Sequence, residues 1–241
     1  MRKRPPIPRD SGSLWQSIRH FQDGRLSAPA RRPLKTRSRA WSHFLARRLA
    51  SAGVRPNAVS AASIVFAAAA GACLALSVEE TGDTCGPLLL AAVAGIQLRL
   101  LCNMIDGLLA VEGGLATPSG EIWNDLPDRI ADPLILVGAG LAVRTLPGGL
   151  LLGWLAALLA LLTAYVRVLG GSVGLIQSFS GPMAKQHRMF AVSVGCVGGA
   201  IESFLGRPPW TLWIALAVVV AGAAATVVLR TARIARELRH R

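Results

Sequence analysis

Six apolar segments follow one another along the chain, and each is long enough to form a membrane-spanning helix. They lie at roughly residues 58–77, 87–111, 121–143, 149–170, 187–205 and 210–230. Most of these segments lack the polar face that a helix of a water-soluble protein would carry, and about 20 apolar residues suffice to cross a bilayer. The pattern therefore predicts an all-α, polytopic membrane protein with six transmembrane helices.

An amphipathic segment precedes the first span. In residues 38–50, "SRAWSHFLARRLA", the apolar positions Trp41, Phe44, Leu45 and Leu49 share one helical face. This pattern predicts an interfacial helix lying along the membrane surface, within residues 38–55. The predicted organisation has three further parts: a basic, mostly mobile cytoplasmic tail at 1–37, the six-helix domain at 56–230 and a basic cytoplasmic tail at 231–241.

The distribution of charge predicts the orientation of the spans. Residues 1–57 contain 14 of the 26 Lys and Arg residues, and the last 12 residues contain five more. The loops that would face the opposite side contain only Arg144 and Arg207. The positive-inside rule then places both termini in the cytoplasm, and we expect a bacterial inner membrane.

The net charge of +13 is also a feature of proteins that bind nucleic acid. Here the basic residues flank the membrane spans, where they hold the topology and contact anionic lipid headgroups. The sequence therefore predicts membrane lipids, and not nucleic acid, as the partner of the basic regions.

Acidic residues concentrate in one short region of this apolar chain. Six of its 13 acidic residues fall within residues 103–132, and they are Asp106, Glu112, Glu121, Asp125, Asp128 and Asp132. At the end of the second span, Asn103, Asp106, Gly107 and Ala110 have the spacing i, i+3, i+4 and i+7, which forms one helical stripe. Gly107 and Ala110 leave room on that stripe for another group to approach the backbone.

Two overlapping faces of the third span carry the remaining polar positions. The first face is formed by Gly120, Asn124 and Asp128, and the second is formed by Glu121, Asp125, Asp128 and Asp132. Ionised carboxylates inside a membrane bundle are costly unless they pair with cations. Pairing with Arg99, Arg129 or Arg167 is one explanation. The stripes favour the other, a site for a hard divalent cation such as Mg²⁺ or Mn²⁺.

The same stretch resembles the signature of the CDP-alcohol phosphatidyltransferase family, D-x-x-D-G-x-x-A-R-x8-G-x-x-x-D-x-x-x-D. The matching positions are Asn103, Asp106, Gly107, Ala110, Val111, Gly120, Asn124 and Asp128. The spacing is intact, but amides replace two aspartates and Val111 replaces the arginine. Outside the signature, "RPNAVSAAS" at 55–63 resembles the segment that enters the family's first span, and "GPMAKQHRM" at 181–189 resembles its basic loop.

The resemblance implies a reaction at the cytoplasmic membrane surface in phospholipid biosynthesis. An alcohol would attack the lipid-bearing phosphorus of a CDP-lipid such as CDP-diacylglycerol, and CMP would leave. In the family, four aspartates hold two divalent cations, and the last aspartate is the candidate general base. These roles fall here on Asp128 as base and on Asn103, Asp106, Asn124 and Asp128 as metal ligands.

Further residues complete the predicted site. Glu112, Asp125 and Asp132 are additional candidate ligands that would restore negative charge. The predicted substrate-binding positions are Gly107, Ala110, Gly120, Asn57, Ser60, Lys185 and Arg188. Lys185 or Arg188 would supply the phosphate contact that the family's arginine makes.

The two amides leave three alternatives open. They are a two-metal enzyme with a rearranged ligand set, a one-metal enzyme, and a catalytically inactive lipid-binding or scaffold protein. A small transporter is less favoured, because the acids cluster at the cytoplasmic ends of two consecutive spans and not at mid-membrane on several helices. The sequence does not identify the acceptor alcohol, and a homodimer is an expectation from the family alone.

Overall fold

The structure is a computed structural model that describes residues 40–77, 84–112 and 120–240. Seven helices lie within these ranges. These helices are α1 (Ala40–Ser51), α2 (Pro56–Leu76), α3 (Cys85–Glu112), α4 (Gly120–Ala142), α5 (Gly149–Ser172), α6 (Lys185–Phe204) and α7 (Trp210–Arg239). No strand occurs within those ranges, so the all-α fold class is confirmed there. The predicted tail at 1–37 lies outside the described residues.

The six predicted segments coincide with α2 to α7. α2 begins at Pro56, where the missing N–H of proline costs no helical hydrogen bond because the first turn has no acceptor for it. α7 is longer than its predicted segment. It continues through Arg239, whereas the sequence predicts a tail from residue 231.

The helices α2 to α7 are arranged in a closed ring. α2 packs against both α3 and α4, α4 packs against α5, and α5 packs against α7; α7 packs against α6, and α6 returns to α3. α3 and α4 follow each other in the chain but contact each other much less, because α2 packs between them. Side chains from α3, α4 and α6 therefore meet inside the ring.

Glycines bring the backbones of α2, α4 and α5 into near contact. A Cβ atom on Gly138 would lie 2.6 Å from the carbonyl oxygen of Gly71, and a Cβ on Gly140 would lie 2.6 Å from the Cα of Gly153. Small residues are typical where membrane helices cross closely. This packing fixes α4, which carries most of the acidic residues, against both of its neighbours.

Among the described residues, four helical stretches are long and apolar enough to cross a membrane, namely Pro56–Leu76, Cys85–Ala110, Gly149–Ser172 and Trp210–Arg239. Large apolar side chains are exposed along them, including Val65, Leu151, Trp154 and Val228. Such an outer surface is that of an integral membrane protein. α4 and α6 do not reach the same hydropathy, so the total of six spans stays a prediction.

The ring has one end at which the predicted functional residues gather. Because successive helices alternate in direction, the ends of α3, α5 and α7 lie beside the starts of α2, α4 and α6. α1 adds to this end of the bundle, since its Leu49 and Ala50 pack beside Met104 and Leu108 of α3. Its predicted position on the membrane surface stays a prediction.

Candidate functional site

The carboxylate of Asp128 lies at the centre of the polar cluster inside the ring. Its Oδ1 atom accepts hydrogen bonds from Arg99 Nη2 at 3.0 Å and from Asn103 Nδ2 at 2.8 Å. Its Oδ2 atom accepts a hydrogen bond from the ammonium of Lys185. Asp128 is buried, so three donors from two other helices replace the water that a free carboxylate would bind.

Asp132, one helical turn further along α4, is held between two guanidinium groups. Its Oδ1 accepts from Arg99 Nη2 at 2.5 Å and its Oδ2 accepts from Arg188 Nη2 at 3.0 Å. Arg188 also donates to Thr163 Oγ1 and to the Met183 carbonyl, each at 3.2 Å. Since Asp132, Arg99 and Arg188 are all buried, this group is a salt bridge shielded from solvent.

Asp106 on α3 has a different environment. Its Oδ2 accepts a hydrogen bond from Ser60 Oγ of α2 at 2.7 Å. Its Oδ1 is buried and has no hydrogen-bond partner among the described residues. Lys185 and Asp128 are close enough to act on it electrostatically. Asp106 therefore carries one buried oxygen without a hydrogen-bond partner among the described residues.

Asp125 points away from this cluster. Its Oδ1 accepts from Arg129 at 2.7 Å and from Arg167 of α5 at 2.6 Å, and its side chain is 38% exposed. The two overlapping faces of α4 are thus separated in space: Asp128 and Asp132 face the centre of the ring, and Asp125 faces α5.

The remaining predicted positions are distributed around the same end of the bundle. Gly107 is buried, whereas Ala110, Gly120 and Asn57 are partly buried. The side chains of Glu112, Glu121 and Asn124 lie outside the described part of the structure. The predicted roles of all these residues stay predictions.

Arg99 is the residue that the sequence interpretation undervalued. It is fully buried and bridges Asp128 and Asp132. The available signal was its position four residues before Asn103, which places it on the same stripe of α3. An arginine within an apolar span is costly without a partner, so its neighbours on α4 could have been inferred.

α7 holds the segment that leads into α6. The backbone N–H of Met183 donates to Thr226 Oγ1 at 3.0 Å, and Arg230 donates to the carbonyls of Ser180 and Thr163 at 2.7 Å each. These hydrogen bonds fix the segment that positions Lys185 at the start of α6, just before the predicted span at 187–205. Burial lowers the pKa of the Lys185 amine, while the Asp128 carboxylate raises it.

The described residues offer few free ligand atoms for a divalent cation. No group of three or more His, Cys, Asp and Glu side chains in the described ranges is placed to hold a metal ion. Asp106 Oδ1 is buried without a hydrogen-bond partner there. Both oxygens of Asp128, however, are already bound by donors. A two-metal centre of the kind that the resemblance implies does not fit this arrangement.

A second polar feature is a cavity between the ends of α5 and α7. Basic and acidic side chains line it together with apolar ones, the charged residues being Arg167, Arg230, Arg233 and Glu237. Arg167 also contacts Asp125, which connects the cavity to the first turns of α4.

No family model matches the sequence, and no curated protein matches it either. Solved structures of the phosphatidylinositol phosphate synthase PgsA1 of Mycobacterium tuberculosis do match. The structure in complex with manganese and citrate has a TM-score of 0.67 at 18% identity, covering 80% of this chain and 88% of that chain. The structure with CDP-DAG bound has the same TM-score and identity and is covered to 92%.

The apo form of the same synthase has a TM-score of 0.62 at 21% identity, covering 78% of this chain and 93% of that chain. At this level of identity the comparisons establish a shared fold. The shared fold covers 88%, 92% and 93% of the three synthase chains.

Proposed function

We propose that the protein transfers a phosphatidyl group from a CDP-lipid, such as CDP-diacylglycerol, to an alcohol and releases CMP. The supporting observation is the hydrogen bond of 2.8 Å between Asn103 of α3 and Asp128 of α4. It joins the first and last positions of the family signature inside a fold shared with a synthase whose structure contains CDP-DAG. The reaction would belong to phospholipid biosynthesis at the cytoplasmic membrane face.

In this proposal the cations of the cluster receive the diphosphate of the CDP-lipid. Lys185 is the most exposed of them, because its side chain is 28% exposed while those of Arg99 and Arg188 are buried. The negative diphosphate attracts the Lys185 ammonium, and its departure frees Oδ2 of Asp128. That oxygen can then take the proton of the attacking alcohol.

The bond changes balance as a simple substitution at phosphorus. The alcohol oxygen forms a bond to the lipid-bearing phosphorus, the bond to the CMP oxygen breaks, and the alcohol proton passes to Asp128. A divalent cation, Mg²⁺ or Mn²⁺, would neutralise part of the diphosphate charge when bound. Asp106 is the residue that would hold it. Gly107, Ala110 and Gly120 would leave space for the nucleotide.

The basic residues Arg167, Arg230 and Arg233 at the ends of α5 and α7 favour an acceptor alcohol that carries an anionic group such as a phosphate. The partners of the protein are then the CDP-lipid, the acceptor and the surrounding lipids. We further propose a bacterial inner-membrane location with both termini in the cytoplasm, and a homodimer as the assembly.

The test is release of CMP by the purified protein from CDP-diacylglycerol in the presence of Mg²⁺ or Mn²⁺. The acceptors are glycerol 3-phosphate, inositol phosphate, serine and an uncharged polyol. We expect release with a phosphate-bearing acceptor, and we expect Asp128→Asn to lower it by about 100-fold or more, the contribution of a general base. Arg207→Ala, an exposed position outside the cluster, is the control and should retain activity.

A second candidate function is binding of a CDP-lipid without turnover. It is favoured because both carboxylate oxygens of Asp128 already accept hydrogen bonds. In addition, two signature positions carry amides in place of aspartates. Tight binding of CDP-diacylglycerol with no CMP above background for any acceptor would select this alternative and reject the transferase.

A further inference from the structure

The two oxygen atoms of the Asp128 carboxylate have different kinds of partner. Oδ1 accepts hydrogen bonds from Arg99 Nη2 at 3.0 Å and from Asn103 Nδ2 at 2.8 Å, and both donors belong to α3. Oδ2 accepts from the ammonium of Lys185 on α6. The Arg99 side chain is fully buried, whereas that of Lys185 is 28% exposed. One oxygen is therefore bound by groups on a single helix, and the other by a cation that solvent reaches.

Asn103 takes part in this arrangement as a hydrogen-bond donor. An ionised carboxylate can only accept hydrogen bonds, so the part of the amide that lies 2.8 Å from Oδ1 must be its NH₂ group. The family signature has an aspartate at this position, and an ionised aspartate has no donor to offer. The amide at position 103 therefore makes a contact with Asp128 that the signature residue could not make.

Arg99 and Asn103 act on Oδ1 from one rigid element. They lie four residues apart, on the same stripe of α3. Arg99 shares its donor atom between two carboxylates, because Nη2 also donates to Asp132 Oδ1 at 2.5 Å. A second donor on Oδ1 restricts the rotation of the Asp128 carboxylate about its bond to Cβ. The orientation of Oδ2 towards Lys185 thus depends on Asn103.

We propose that Asn103 is a positioning residue, whose amide holds Oδ1 of Asp128 so that Oδ2 is the oxygen that receives the proton of the alcohol. This role rests on the proposed function and deepens it, because it gives the two oxygens of the base different tasks. Position 103 then changes from a candidate metal ligand to a hydrogen-bond donor. Asn103 acts through Asp128 and does not touch the reacting atoms.

The first measurement is the steady-state release of CMP from CDP-diacylglycerol by the purified full-length protein. Asn103→Leu removes the donor at similar side-chain volume. We expect kcat to fall by about 10- to 100-fold, as for a misplaced catalytic group, and the KM for CDP-diacylglycerol to stay unchanged. Asn103→Asp restores the signature residue. It should lower kcat at least as much, because an ionised aspartate cannot donate and repels Asp128.

Gln97→Leu is the matched control, because it makes the same change from amide to leucine on the same helix. It removes the hydrogen bond of 3.1 Å from Gln97 Nε2 to Ser193 Oγ of α6. Both variants therefore lose one hydrogen bond between helices, and thermal unfolding in detergent compares their stability. Gln97→Leu should retain the wild-type kcat. Where Asn103→Leu fails to give a monodisperse protein, Asn103→Ala replaces it.

The second measurement observes the contact itself and needs no turnover. Infrared spectra of protein that is isotope-labelled in the aspartate carboxyl carbons contain a carboxylate band of Asp128, which is identified by its loss in Asp128→Asn. Removal of a hydrogen bond changes the stretching frequency of a carboxylate. We expect this band to move in Asn103→Leu and to stay in place in Gln97→Leu.

Four results would each overturn the positioning role. They are an unchanged kcat in Asn103→Leu, an equal loss of kcat in Gln97→Leu, an unmoved Asp128 band in Asn103→Leu, and turnover by Asn103→Asp at or above the wild-type level. The last result would identify position 103 as a carboxylate ligand. Absence of CMP release from the wild type would instead refute the transferase, and the catalytic part of the role with it. The infrared band would still decide whether Asn103 holds the Asp128 carboxylate.

Discussion

At the level of single residues, the sequence indicated which side chains matter but not how they are paired. The spacing of the signature located Asp106 and Asp128, and the structure places both inside the ring. The pairing of Asp128 with Lys185 could not be derived, because Lys185 is 57 residues away in the chain and belongs to α6. Helical periodicity relates residues within one helix only. Contacts between helices depend on how the ring closes.

Asp132 and Asp125 should differ sharply in their contribution to stability. Asp132→Asn leaves the buried guanidiniums of Arg99 and Arg188 without an anion, which we expect to cost about 3–5 kcal/mol. Asp125→Asn removes a partly exposed ion pair and should cost about 0–1 kcal/mol. Unfolding of the two variants in detergent, followed by circular dichroism, measures the difference. Equal losses would contradict the shielded salt bridge at Asp132.

At the level of helices, α4 and α6 combine an apolar outer face with a charged inner face. On α4 the exposed apolar stripe consists of Ile122, Leu126, Ile130 and Leu134, and on α6 it consists of Phe190, Val194, Val197 and Ile201. Their average hydropathy is lowered by the side chains that build the site. The helix boundaries were predictable from the apolar runs, but the division of each helix into two faces depends on its neighbours in the ring.

The crossing of α2 and α4 should be intolerant of any side chain. Gly138→Ala places a Cβ atom 2.6 Å from the carbonyl oxygen of Gly71, and overpacking of this kind costs about 1–3 kcal/mol. We expect a lower midpoint of thermal unfolding in detergent.

Gly170→Ala is the matched control for this change. Its new Cβ would lie 3.1 Å from the flexible end of the Ile234 side chain. This variant should unfold at the wild-type temperature or slightly above it, since alanine favours the helix. A loss in Gly170→Ala as large as that in Gly138→Ala would argue against the close crossing.

At the level of the whole molecule, the closed ring brings the charged residues of α3, α4 and α6 that surround Asp128 and Asp132 together at one end. Six alternating spans would return the chain to the side from which it started, and the charge asymmetry of the sequence predicts this orientation. The order of the helices around the ring was not predictable, because apolar surfaces such as those of α2 and α5 give no sequence signal for their partners.

The topology can be tested with single cysteines in a variant that lacks the four native cysteines. We expect Arg207→Cys, between α6 and α7, to react with a membrane-impermeant maleimide in intact spheroplasts, because the predicted topology places that loop outside. Ile176→Cys, which is 91% exposed at the end with the polar cluster, should react only after the membrane is permeabilised. Reaction of both positions from one side would disprove the six-span topology.

The hydrogen bonds between residues 180–183 and the α7 residues Thr226 and Arg230 have a consequence for biogenesis. Because α7 follows α6 in the chain, it leaves the ribosome after α6. Until α7 is in place, the segment before α6 lacks the hydrogen bonds that set the position of Lys185. A nascent chain without α7 in place therefore holds acidic side chains of the site before the site is assembled. Completion of the cluster is coupled to the arrival of α7.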